Sequence, residues 1–363
     1  MAKHAPDLGL ARDEALTRLW QAAAQGLPIP SECFVHLPSE EFARKLQCVA
    51  AWNNHGPTAV ALSVPGHRLE PLFQRLEPAF VLAYALSRGS VDAATALLEA
   101  GVDMNAEVDR INGNALGWAV RGGHVSAVAL LINAKADIDF VGWAGETPIN
   151  HAAKGGDAVV DMLIAAKADV NRAIVYGETP LHHAMWADDV AIIVRLLCAK
   201  ASVNATASRG ETVLHRGARE AAVVQVLLAA KADVHAVDAR GRGVLWHAAL
   251  GGEVRAVAKL VRAKADVHAV DAAGDTAIHM AAFVGKHVGV AAFLVAAKSD
   301  VNRANRAGAT PLLTALHKNA TDAMVQLLVD AKARVEKSAP VHAFGRVDRY
   351  IYTRFGVQAR SSV

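Results

Sequence analysis

The side chains best equipped for chemistry in this sequence are its histidines and cysteines, and their spacing argues against most of what they could do. There are 16 histidines in 363 residues. His182, His215 and His279 each follow a threonine by three positions, behind Thr179, Thr212 and Thr276. At that spacing a helix-capping threonine and an imidazole can exchange hydrogen bonds. His151 and His183 fall one position later in their own segments. Packed helices lie about 8–10 Å apart and zinc takes three or four protein ligands, so two imidazoles on neighbouring helices make a poor metal site. Cys33, Cys48 and Cys198 are scattered, odd in number and free of any CxxC pair, which indicates neither a disulfide framework nor a zinc knuckle and fits a reducing compartment. Cys198 follows Leu196 and Leu197, where a small buried apolar residue is expected rather than a nucleophile. No G-x-x-x-x-G-K-S/T, dinucleotide fingerprint, H-E-x-x-H or G-x-S-x-G can be read. No catalytic residue, metal or cofactor is therefore expected.

The elements that position these residues recur. Gly145, Gly177, Gly210, Gly241, Gly274 and Gly308 are spaced by 32, 33, 31, 33 and 34 residues. Ala-Lys-Ala-Asp or a near variant keeps the same beat, beginning at Ala134, Ala166, Ala199, Ala230, Ala263, Ala297 and Ala331. Thr147-Pro148, Thr179-Pro180 and Thr310-Pro311 place a capping hydroxyl before a proline whose missing N–H costs nothing at the first helical position. Val190, Ile193, Val194 and Leu197, or Val223, Val226 and Leu227, recur at helical spacing and predict an apolar stripe on a second helix. Apolar residues make up 53% of the chain and aromatics only 5%, a balance that suits short, closely packed helices. One helix pair cannot bury its own stripe. Stacking pair upon pair can, so the expected architecture is a linear array.

Gly145-Glu-Thr-Pro-Ile-Asn-His-Ala-Ala153, Gly177-Glu-Thr-Pro-Leu-His-His-Ala184 and Gly274-Asp-Thr-Ala-Ile-His-Met-Ala-Ala282 carry a resemblance to the ankyrin-repeat family and its G-x-T-P-L-H-x-A-A signature. The resemblance implies an all-α ankyrin-repeat solenoid of helix-turn-helix units with hairpin-like finger loops, about eight of them between about residues 77 and 336. Residues 1–76 then read as a helical N-terminal cap or docking segment, and residues 337–363 as a tail. The family usually closes the second helix with glycine. Here Lys135, Lys167, Lys200, Lys231, Lys264, Lys298 and Lys332 hold that place and only Gly101 keeps it. A left-handed lysine costs about 1 kcal/mol, partly offset by about 0.3–1 kcal/mol from a cation near the negative end of the helix dipole.

The resemblance also implies a function. Members of the family hold protein partners through finger residues around the glycine and through positions late in the first helix. On this sequence the partner-binding candidates are Trp143, Glu146, Tyr176, Glu178, Trp186, Arg209, Arg219, Arg240, Arg242 and Phe283. Solvated loops have no need of Trp or Tyr, whereas binding hot spots favour Trp, Tyr and Arg. Asn171 and Asn302 sit in Asp-Val-Asn turns similar to those that asparaginyl hydroxylases modify on ankyrin repeats, with unmodified turn asparagine as the plainer reading.

Net charge is +3, of which residues 337–363 contribute +4, so the body is balanced and a nucleic-acid partner is not expected. The tail interleaves Tyr350, Tyr352 and Phe355 with arginines and reads as a closing cap. Near the N-terminus Leu37-Pro38-Ser39-Glu40, with Phe42 and Leu46, is similar at a few positions to the opening of an F-box. The longest uncharged apolar run, 288–297, is too short for a membrane span. The sequence thus predicts a soluble cytoplasmic or nuclear scaffold or adaptor, monomeric apart from its protein partner. The alternatives are a structural or regulatory subunit, or a substrate-recognition adaptor docking through its N-terminal helices.

Overall fold

The computed structural model describes residues 78–99, 101–108, 113–142, 145–187 and 189–333. The expected N-terminal helices, the F-box-like segment and the basic tail lie outside them. Between Val175 and Tyr176 the chain divides into two compact units. The first contains α1 (Pro78–Ser87), α2 (Val91–Glu99), α3 (Ala115–Gly122), α4 (Val125–Asn133), α5 (Pro148–Ala152) and α6 (Asp157–Ala165). The second contains α7 (Pro180–His183), continued by a 3-10 turn over Ala184–Trp186, α8 (Val190–Cys198), α9 (Val213–Gly217), α10 (Ala221–Ala229), α11 (Val244–Gly251), α12 (Val254–Arg262), α13 (Ala277–Val284), α14 (Val288–Ala296), α15 (Pro311–His317) and α16 (Asp322–Asp330). Among the described residues the helices form eight antiparallel-type pairs, and strand pairing is limited to isolated bridges such as Thr206 with Thr212 and Val237 with Gly243. Within each unit the first helices of neighbouring pairs pack together, and so do the second helices. The all-α repeat architecture is as the sequence predicts.

The second helix of each pair has its buried face fixed by one leucine. Leu131, Leu163, Leu196, Leu227, Leu260, Leu294 and Leu328 are fully enclosed, each three residues before the Ala-Lys marker. The stripe expected in α8 is out of phase with this: the buried residues are Ile192, Ile193 and Leu196, and Val194 is exposed. In α10 likewise Val224 is enclosed and Val226 only half-buried. Helices this apolar fit more than one phase, and the closing turn selects among them. Cys198, expected inside, is exposed for the same reason, because it ends α8 two residues past the enclosed leucine.

That closing turn explains the Ala-Lys-Ala-Asp marker. All seven marker lysines are left-handed, with φ between 63° and 73°. At Lys231 the N–H bonds the Leu228 carbonyl at 3.0 Å and the following Ala232 N–H bonds the Leu227 carbonyl at 2.9 Å, the paired bonds of a Schellman close. The second alanine must be small because it is buried against the stack, and the aspartate then turns the chain, as where Asp233 Oδ1 accepts the His235 N–H at 2.9 Å. Asn302 of the same turn family donates to the Lys332 carbonyl of the next repeat at 3.3 Å, so this candidate for hydroxylation already ties two repeats together.

First helices are joined differently. The Thr212 N–H donates to His215 Nδ1 at 3.1 Å, which leaves that nitrogen unprotonated and puts the ring proton on Nε2. Nε2 then donates to the Arg242 carbonyl in the next repeat at 3.2 Å. His182 reaches Glu211 O at 3.3 Å and His279 reaches Ala309 O at 3.1 Å in the same way. Between His182 and His279 the series skips one joint. Gly243 and Trp246 replace threonine and histidine in α11, and the buried Trp246 indole N–H finds no hydrogen-bond partner among the described residues.

Two stability measurements check this account. His215→Ala leaves buried donors and an acceptor unsatisfied, and urea unfolding is expected to show a loss of about 1–3 kcal/mol. Lys231→Gly is expected to be neutral or stabilising by up to about 1 kcal/mol, whereas Lys231→Val, β-branched in a left-handed site, is expected to cost about 1–2 kcal/mol.

Candidate protein-binding surface

Between the second helix of one pair and the first helix of the next, the chain makes a finger whose turn is closed from inside. Asp238 Oδ1 accepts the N–H groups of Arg240 at 2.8 Å and Arg242 at 3.0 Å. Asp271 and Asn305 do the same work in the following fingers. Adjacent fingers are then tied side by side: the Tyr176, Arg209, Arg240 and Ala273 carbonyls accept from Ser208, Ala239, Ala272 and Arg306 at 2.7–2.9 Å. The approach is close enough to demand glycine at the tip. A Cβ on Gly274, where φ is +83°, would stand 2.9 Å from the Arg306 nitrogen.

Under the fingers of the second unit runs a chain of alternating charges. His183 lies 3.4 Å from Glu178, Glu178 holds Arg216, and Glu211 lies 3.6 Å from both Arg216 and Arg242. Arg242 closes the chain on Asp238 at 2.6 Å, and His247 Nε2 donates to Asp238 at 3.3 Å. Arg242 also lies over the Trp246 ring, 4.9 Å from its centroid. Burial would raise the Asp238 carboxyl, but hydrogen bonds from the Arg242 side chain and backbone, the Arg240 N–H and His247 outweigh it and hold the pKa at about 2. His247 is pushed down to about 4 by burial and by the neighbouring His215, against the pull of Asp238. Glu178 is lowered because Arg216 overcomes its burial, and burial lowers His182, His215 and His279. Among the described residues Glu211, Asp238 and His247 bring ligand atoms within 4.8 Å of one another, a spacing that suits a cation, and the Arg242 guanidinium is the cation that they face.

The candidates from the sequence divide into two groups on this framework. Glu146, Glu178 and Arg242 are part of the frame: Glu146 holds Lys154 at 3.1 Å, and the Arg242 side chain is only 18% exposed. Tyr176 and Trp186, in contrast, are 61% and 71% exposed. Phe283 is 44% exposed with the Lys318 ammonium 4.6 Å above its ring. Arg209, Arg219 and Arg240 are exposed and make no ion pair with a described residue. Tyr176, Arg209 and Arg240 occupy the same place on three successive fingers, while Trp186, Arg219 and Phe283 share the late first-helix position. Trp143 lies outside the described residues, and Asn171 is exposed in its turn.

Family models described as ankyrin repeats (3 copies) match residues 48–141, 82–174, 118–207, 149–238, 214–305 and 245–339. The chain belongs to the ankyrin-repeat family. No curated protein matches it. Ankyrin repeats generally mediate protein–protein interaction, and proteins built from them are typically non-enzymatic scaffolds. Among the described residues of this ankyrin-repeat protein, no helix is long and apolar enough to cross a membrane.

Sequence reasoning passed over the residues that hold the surface in shape, chiefly Asp238, Arg216 and His247. For Asp238 a signal exists, since Asp or Asn stands three residues before the glycine in Val237-Asp238-Ala239-Arg240-Gly241, in 270–274 and in 304–308. Removing it tests the framework: Asp238→Ala leaves Arg242 with Glu211 alone and takes the acceptor from the Arg240 and Arg242 N–H groups, and is expected to cost about 1–3 kcal/mol in chemical unfolding. The buried histidines set a pH dependence. Their folded pKa values lie below 6.5, so the unfolded chain binds more protons and stability falls as pH drops from about 6.5 towards the value of about 4 for His247. A further loss is expected as pH falls from 3.8 towards 2 and Asp238 takes a proton. Thermal unfolding across pH 4–7 is expected to show the first slope, reduced in His247→Asn.

Proposed function

We propose that this protein is a non-enzymatic interaction scaffold or adaptor whose second unit holds a protein partner on Tyr176, Trp186, Arg209, Arg219, Arg240 and Phe283. The observation that carries the reading is the exposure of two large aromatics beside finger turns whose own carboxylates are already engaged within the fold. Tyr176 and Trp186 stand mostly in solvent, where burial by a partner is worth far more than any contact they make within the chain. Finger backbones tied to one another hold these side chains ready, so a partner spends little free energy on ordering the surface. Glu178, Glu211, Arg216 and Arg242 serve the interface from beneath by fixing finger to helix. A soluble protein of the cytoplasm or nucleus fits the reading, as do three scattered cysteines.

The test starts from a partner recovered with the full chain, identified and then reconstituted from purified components. Trp186→Ala and Tyr176→Ala are each expected to weaken that complex by at least about 2 kcal/mol, roughly thirtyfold, with an unchanged circular dichroism spectrum. Undiminished affinity in both variants would move the interface elsewhere.

A further inference from the structure

We infer that the finger row of the second unit recognises an extended acidic segment of a protein partner, with carboxylates at every third residue. The inference rests on the scaffold reading and narrows it to a class of partner. Arg209 and Arg240 project from equivalent places on adjacent fingers, and the Ala239 N–H bonded to the Arg209 carbonyl at 2.8 Å fixes one finger against the other. The residues beside them at the tips are neutral: Ser208, Ala239 and Ala272. The one carboxylate within 206–210 and 237–241 is Asp238, whose side chain is 1% exposed and already bound to Arg242. Glu178 and Glu211, the next acids inward, are likewise spent on Arg216 and Arg242. Acids are consumed inside the frame while arginines are left outside it, so the row presents positive charge with no internal counterpart.

Spacing specifies the ligand further. Neighbouring repeats follow one another at the helix-packing distance of about 8–10 Å. A chain extended as a polyproline-II helix advances about 3.1 Å per residue with three residues per turn, so three of its residues match one repeat and side chains three apart lie on the same face. A carboxylate at every third position can therefore meet Arg209 and Arg240 together, with Tyr176 available one finger earlier for an apolar or aromatic neighbour. A nucleic acid is a weaker fit, because it needs a broad basic field to release its counterions, and here the row carries Arg209, Arg240 and, two fingers further on, Arg306.

The experiment measures fluorescence anisotropy of the full chain with three labelled probes: a peptide repeating Glu-Ser-Gly, a peptide of the same composition with its glutamates in one block, and a mixed-sequence single-stranded RNA. The repeating peptide is expected to bind at least about tenfold tighter than the blocked one, to weaken as salt rises, and to lose at least about tenfold in Arg209→Glu/Arg240→Glu. Equal affinity for the two peptides, binding untouched by the double reversal, or tighter binding of the RNA would each overturn the inference. The two readings separate on the natural partner. A complex weakened by Trp186→Ala but indifferent to Arg209→Glu/Arg240→Glu keeps the scaffold and removes its acidic specificity, whereas a complex indifferent to both sets removes the scaffold surface itself.

Discussion

The second helices of this chain are nine residues long and several first helices are shorter, below the length at which a helix repays its own nucleation in water. Each is stable only because a neighbour covers its apolar side. That dependence explains why the enclosed leucine returns at one phase in every pair and why the residue after each left-handed lysine must be small. It also explains the chain of threonine, histidine and carbonyl along the first helices. Apolar burial is non-directional, and the imidazole, donating to one particular carbonyl, sets the register in which one pair meets the next.

The same histidine gives the fingers their place, since the carbonyl it bonds belongs to the finger of the following repeat. Arg216 and Arg242 continue the connection outward through Glu178, Glu211 and Asp238. Partly buried ion pairs of this kind are weak evidence for stability in themselves, because desolvation offsets attraction. Their effect is geometric. They hold a loop that would otherwise be the most mobile part of a repeat, and they leave the outer side chains free to differ without disturbing it.

Much of this was legible in the amino-acid sequence. The glycine beat, the Thr-Pro starts and the Ala-Lys-Ala-Asp marker identify the repeat, its helix starts and its left-handed closes, because each is a local conformational demand that a few residue types satisfy. The phase of the second helix was harder to read, since Val190 to Cys198 is apolar on nearly every side and only packing decides between neighbouring phases. Among the surface candidates, a residue's place in the repeat predicts where it stands but not whether it is engaged: Arg240 and Arg242 sit two positions apart, one exposed and the other paired to Asp238. That difference depends on a second residue reaching the same point, which spacing along one strand of sequence does not reveal.

The joint built on Gly243 and Trp246 gives the second unit one seam fastened at a different edge from its neighbours. Elsewhere an imidazole at the start of the first helix fastens one repeat to the next, whereas here the indole covers that point and the polar tie moves to the far end of the helix, where His287 Nδ1 lies 3.2 Å from the Ala249 carbonyl. A repeat pair can therefore keep its alignment when the inner fastening is lost, provided the opposite edge takes it over.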